Sequence, residues 1–171
     1  MLKITKSALF MLFICLFFVE PAHSGTVDNI LGDGFRNLKW GTQSKNISGL
    51  YERQSLDDGR VSYSRQKDEL SFCNVKIDTI NYYFDKSGSL YSVVIRVAGK
   101  KNSPLLVDSM LKKFGKSEDI TTQKWWSGPS EDCMYYFWSG KNTNVIVQYY
   151  VFGDEFINVF ITQNGRTPGD W

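Results

Sequence analysis

Asn81-Tyr82-Tyr83-Phe84-Asp85-Lys86-Ser87-Gly88-Ser89-Leu90-Tyr91-Ser92-Val93-Val94-Ile95-Arg96-Val97 carries the alternation on which the reading of the chain turns. Aromatic side chains lose χ1 freedom against the preceding turn of a helix, so Asn81 to Phe84 predicts a strand. Asp85 to Ser89 then supplies a hairpin connection, with an aspartate able to bond its own backbone and Gly88 free to take positive φ. From Leu90 the period is two: Tyr91, Val93, Ile95 and Val97 share one face, and Leu90, Ser92, Val94 and Arg96 the other. The aliphatic face belongs to a core. A helix follows, with Ser103 as N-cap, Pro104 in the first position and Gly115 as the left-handed residue past the end. Val107, Met110, Leu111 and Phe114 form its apolar stripe, while Asp108, Lys112 and Lys113 face water, the lysines at the negative end of the dipole.

Working outward, 25–34 is short, polar and glycine-bearing and reads as a flexible leading segment. Phe35 to Leu38 reads as a short extended piece, and Thr42 as the N-cap of a short helix that Gly49 ends. Leu50 to Gln54 and Arg60 to Arg65 flank Asp57-Asp58-Gly59 as a hairpin. Phe72 to Phe84 reads as one long strand whose phase changes near Asp78-Thr79, the mark of a bulge. Beyond the helix, strands are predicted over Ile120 to Trp126, Cys133 to Trp138, Asn144 to Phe152 and Phe156 to Thr162. The residues 163–171 lack any period and read as a flexible tail.

Two hairpins look alike. Tyr82-Tyr83, Gly88 and Leu90 to Ile95 match Tyr149-Tyr150, Gly153 and Phe156 to Ile161 at an offset of 67 residues before the turn and 66 after it. The expected fold is therefore α+β: an antiparallel sheet of about eight strands in two helix-plus-meander halves, 35–100 and 101–162, with the helices packed on one face. Likeness by composition alone is the alternative.

Lys3, Lys6, the apolar run from Ala8 to Val19 and the small residues Ala22 and Ser24 predict a signal peptide over 1–24, cleaved before Gly25. An uncleaved anchor is the alternative, although the run is short of the ~20 residues that span a bilayer. Cys15 follows the bulky Ile14 inside that run, a poor context for lipidation. Removing 24 residues from 171 leaves 147, one domain over 25–162 with its tail, placed in the periplasm or secreted. The leader holds two of the 20 basic residues and one of the 18 acidic ones, so the remainder carries 18 against 17. That balance offers no electrostatic case for nucleic acid or for an anionic membrane. The single histidine, His23, leaves with the leader, and hydrolases built on an imidazole base and zinc sites built on histidine leave with it. Cys73 and Cys133 remain and are expected to form a disulfide, worth about 4 kcal/mol in the chain-entropy picture, with two free thiols or a redox pair as alternatives.

The order of a Gly41-Thr42 capped short helix, a meander, a helix ending in Phe114-Gly115-Lys116 and a second meander resembles periplasmic folds of the β-lactamase-inhibitor type. It is also similar to the small outer-membrane assembly lipoproteins of the SmpA/OmlA group. Phe35 to Thr42, Phe-Arg-Asn-Leu-Lys-Trp-Gly-Thr, resembles the opening of exported bacterial proteins without assigned function. The resemblance implies a curved sheet backed by helices and a function exercised by binding another protein. The chain lacks the lipobox cysteine of the assembly lipoproteins, which speaks against a membrane-anchored role.

No enzyme is expected. Asp57-Asp58, Glu131-Asp132 and Asp154-Glu155 are adjacent carboxylates in predicted turns, where neighbouring side chains diverge. Asp85 to Ser89 lacks the later acidic ligands of a calcium loop, and no phosphate-binding or dinucleotide fingerprint occurs. Neither metal nor cofactor is assigned, and no spacing points to a Ser-Lys pair. The aromatic residues are the better lead. Trp125, Trp126, Tyr136, Trp138, Phe156 and Phe160 are the expected binding residues, on a sheet face mixed in the way of protein interfaces. The expected partner is another exported or envelope protein, and a carbohydrate or cell-wall ligand stacked on the rings is the alternative.

Overall fold

The computed structural model describes residues 27–99, 101–119, 133–150 and 156–166. A five-residue helix α1 (Val27–Leu31) leads into the small hairpin β1 (Gly34–Phe35) and β2 (Leu38–Lys39). Then come β3 (Leu50–Ser55), β4 (Val61–Arg65), the second small hairpin β5 (Ser71–Phe72) and β6 (Val75–Lys76), β7 (Thr79–Phe84) and β8 (Leu90–Ala98). Helix α2 (Asn102–Phe114) precedes β9 (Cys133–Ser139), β10 (Thr143–Tyr150) and β11 (Phe156–Gln163). One antiparallel sheet of seven strands runs β3-β4-β7-β8-β11-β10-β9.

The hairpins follow from local chemistry. Between β7 and β8, Asp85 Oδ1 accepts the backbone N–H groups of Ser87 and Ser89, and Gly88 sits at φ 79°. Between β3 and β4, Gly59 takes φ 83°. The small hairpins use two-residue turns with positive φ at both positions, Arg36-Asn37 and Cys73-Asn74, a geometry that matches strand twist and usually recruits glycine. The predicted long strand from Phe72 is broken there, and it restarts at Thr79.

The main core collects one face of the sheet: Ile80, Tyr82 and Phe84 of β7, Val93, Ile95 and Val97 of β8, Ile157, Val159 and Ile161 of β11, Val145 and Val147 of β10. Leu106, Val107, Met110 and Phe114 of α2 join it, each burial contributing about 1.5–3 kcal/mol. A bulge beside Phe84 shifts the register, so that Leu90 lies in this core and Tyr91 does not.

Several expectations are corrected. Two matched helix-plus-meander halves with helices packed on a face do not occur: among the described residues strand accounts for 50% and helix for 17%, with only two α-helices. Where the spacing predicts a helix from Thr42 to Ser48 there is a single 3-10 turn, Ser44–Asn46. Thr42 O accepts the N–H of Leu90 and Gln43 bridges Ser89, so this segment is held extended against the start of β8. Within the leading segment, the Asp28 carboxylate accepts the N–H groups of Lys141 and Asn142 in the β9–β10 turn, which ties α1 to the sheet. Of the predicted tail, 163–166 are described and contact the sheet: Gln163 pairs with Thr143, Asn164 Nδ2 donates to Gly140 O at 3.0 Å, and Arg166 meets Asp85 at 2.9 Å, while 167–171 lie outside the described residues. Helix α2 starts one residue ahead of Ser103, whose buried hydroxyl caps nothing, while Gly115 does end the helix, at φ 84° with its N–H on Leu111 O.

Cys73 and Cys133 are both free thiols. Cys73 packs against the main core from its tight turn. Cys133 shares the phase of Tyr135 and Phe137 on β9, the side facing away from that core, so the sheet lies between the two sulfurs. No disulfide forms. The predicted signal peptide and the segment from Ile120 to Trp126 lie outside the described residues.

Candidate functional site

The face of the sheet turned away from the main core is laid out in rows by the register of four strands. Val94, Phe160, Ile146 and Phe137 make one apolar row across β8, β11, β10 and β9, in which Phe137 is completely buried and Ile146 nearly so. On one side of it Ser92, Thr162, Asn144 and Ser139 form a polar row joined by hydrogen bonds, among them Ser92 Oγ with Thr162 Oγ1 at 3.1 Å and Ser139 Oγ donating to Asn144 Oδ1 at 3.1 Å. These two rows are structural.

On the other side Arg96, Asn158, Gln148 and Tyr135 form a row of exposed or half-exposed polar groups. Gln148 Nε2 donates to Tyr135 Oη at 3.3 Å. The next row places Phe156 beside Tyr150, with Cys133 beyond. The Phe156 and Tyr150 rings stack at 4.1 Å, and the Arg96 guanidinium lies 4.7 Å from the Phe156 centroid. Arg96 reaches it from β8 and Tyr150 from β10, so both flat faces of the Phe156 ring are occupied by this chain. Burial, and then the neighbouring Cys133 and Tyr135, push the Tyr150 phenol above its ordinary range.

The six expected binding residues divide. Phe156 and Phe160 lie on this face, Phe160 against the buried Phe137 and Ile146. Trp138 does not: only 3% exposed, it packs in the main core, its ring 5.7 Å from Phe114 and its Nε1 donating to Gly115 O at 2.9 Å. Tyr136 shares that core phase and stacks on Trp138, with burial and then Asp108 raising its phenol pKa. In the run Tyr135-Tyr136-Phe137-Trp138 every residue is aromatic, so nothing in the sequence marks which alternate pair points inward. Trp125 and Trp126 lie outside the described residues. Arg96, Gln148, Tyr150, Asn158 and Tyr135 are not among the six, although the phase of β8 and β11 already sets Arg96 and Asn158 on the side of Phe156, opposite the aliphatic rows.

Comparisons with family models, curated proteins and solved structures give no match to this chain. The site is therefore read from its own chemistry. Among the described residues no three His, Cys, Asp or Glu side chains are placed to hold a metal ion. Asp58 is turned to Arg60, 2.6 Å from Nε, and the carboxylates of Glu131-Asp132 and Asp154-Glu155 lie outside the described residues. Burial raises the Asp85 pKa, but hydrogen bonds from Ser87 and Ser89 and the charge of Arg166 bring it below the usual carboxylate range. Its oxygens are engaged by its own turn and by Arg166. No described helix is long and apolar enough to cross a membrane.

Proposed function

We propose that the protein is an exported, non-catalytic binding protein that holds another exported or envelope protein on the Arg96–Tyr135 and Phe156–Tyr150 rows. The observation that carries this reading is the stack of Arg96, Phe156 and Tyr150 beside a row of amide and phenol groups, exposed or half-exposed on one face of the sheet. Aromatic and arginine side chains pre-organised in this way lose little rotamer freedom on association and are the residues that dominate protein interfaces. A carbohydrate ligand is less well served, since sugars stack on open ring faces and both faces of Phe156 are taken.

Tyr150→Ala and Phe156→Ala are expected to weaken a partner isolated from the envelope by about 2 kcal/mol or more, roughly thirtyfold in Kd, with the melting temperature little changed. A partner retained at full affinity by both folded variants excludes this surface. A saturable fluorescence response to glycans or wall fragments that Tyr150→Ala abolishes would replace the protein ligand with a carbohydrate.

A further inference from the structure

The two edges of the sheet are finished differently. At β9 the edge is covered: Glu118 N donates to Phe137 O at 2.7 Å, and Glu118 Oε1 accepts the N–H of Ser139 at 2.9 Å. At β3 the outer backbone groups of Leu50–Ser55 have no partner among the described residues, their only ladder being to β4. An open strand edge is a template for another extended chain.

A cleft of about 500 Å³ runs from Tyr51 and Arg53 of that strand across Arg65 at the end of β4 to Thr79 and Ile80 of β7, and Lys67, Leu70 and two carboxylates complete its lining. Both carboxylates are already engaged. Asp68 accepts Arg36 Nη1 at 2.8 Å and Tyr82 Oη at 2.6 Å, and Asp78 accepts the N–H of Ala98. Arg53, Arg65 and Lys67 have no acidic partner among the described residues. Arg53 falls at the bulge between Glu52 and Gln54, a device that re-aims a side chain. Lys67 is held at φ 57°, a left-handed conformation that costs a non-glycine residue about 1 kcal/mol. Two of the few large apolar side chains left exposed, Tyr51 at 44% and Leu70 at 47%, stand in the same cleft.

We infer that β3 and this cleft form a second binding site, separate from the ring-bearing rows, for an extended acidic segment of a partner protein. The segment's main chain pairs with the open edge of β3, its carboxylates meet Arg53, Arg65 and Lys67, and its apolar side chains lie on Tyr51 and Leu70. A strand edge and exposed apolar groups recognise a peptide; a polyuronate or a nucleic acid would use the cations alone.

The test is calorimetric titration of the full chain with the peptide Glu-Val-Glu-Val-Glu-Val and its Lys-Val counterpart. The acidic peptide is expected to bind, with affinity falling as salt rises, and the basic one not to bind. Lys67→Gly removes the charge while suiting the backbone, so the variant folds, and it should weaken the acidic peptide roughly tenfold. Arg53→Glu should abolish binding, and methylation of alternate peptide nitrogens should do the same by blocking the ladder. Phe156→Ala should leave this binding unchanged, which separates the site from the face proposed above. Equal binding of the two peptides, no binding of the acidic one, indifference to Lys67→Gly or to methylation, or binding of oligogalacturonate in its place would each overturn the inference.

Discussion

Tyr82 is completely buried, and its hydroxyl is satisfied by a carboxylate that also holds Arg36, so three polar side chains close one network at the foot of β7. Burial first, and then the hydrogen bond and charge of Asp68, raise the Tyr82 phenol above its ordinary value of 10. The folded state thus binds this proton more tightly than the unfolded state. The resulting stability is complete below about pH 10 and is lost as pH rises beyond it. Tyr82→Phe should lower stability in urea unfolding at neutral pH by about 1–3 kcal/mol and flatten the alkaline decline. Cys73 behaves similarly: burial, against a small opposing effect of Lys113, pushes its thiol up to about 11. Its alkylation in the native protein should therefore be slow at pH 8 and approach its plateau only near pH 11, whereas a Cys73 that reacts like a free thiol at pH 8 would contradict its packing.

Among the elements, α2 and β9 are tied by one bond, Trp138 Nε1 to the carbonyl of Gly115, at the point where the helix ends. The indole fills the core beside Phe114 and also satisfies one of the helix's last free carbonyls. Trp138→Phe keeps most of the packing and leaves that carbonyl unpaired, with an expected loss of about 1–3 kcal/mol by denaturant unfolding. At the same end of β9, just past Trp138, Asp28 of α1 caps the β9–β10 turn, where a Cβ on Gly140 would come within 2.8 Å of Asp28 Oδ1. Asp28→Ala should cost a similar amount and raise hydrogen exchange at Lys141 and Asn142 before the rest of the sheet opens.

For the whole molecule, stability rests on the core of one continuous sheet with α2 and on no covalent crosslink. The melting temperature should therefore be the same with and without reductant, and intact mass should show no two-proton difference between the two conditions. A fall in melting temperature on reduction would mean that Cys73 and Cys133 meet, which their opposite sides of the sheet forbid. Alternate exposure along β11 and over Ile95 to Ala98 at the end of β8 also explains why one sheet can keep a sealed aliphatic side and a half-exposed side rich in rings and amides.

The β3–β4, β7–β8 and β10–β11 pairings were legible from the chain, because period-two alternation and the chemistry of turn residues such as Asp85 and Gly59 act over a few residues. The turns at Arg36-Asn37 and Cys73-Asn74 were not, since neither carries the glycine that signals a left-handed pair. The meeting of β8 with β11 was also out of reach. It depends on β9 taking the far edge beyond α2, so that the following meander returns to the centre. That long-range pairing sets which alternate residues of the aromatic run Tyr135 to Trp138 face inward, and a slip of one residue would exchange them. So Trp138 went to the core, Tyr135 to the opposite face, and the two thiols to opposite sides, for reasons that reside in the register between distant strands.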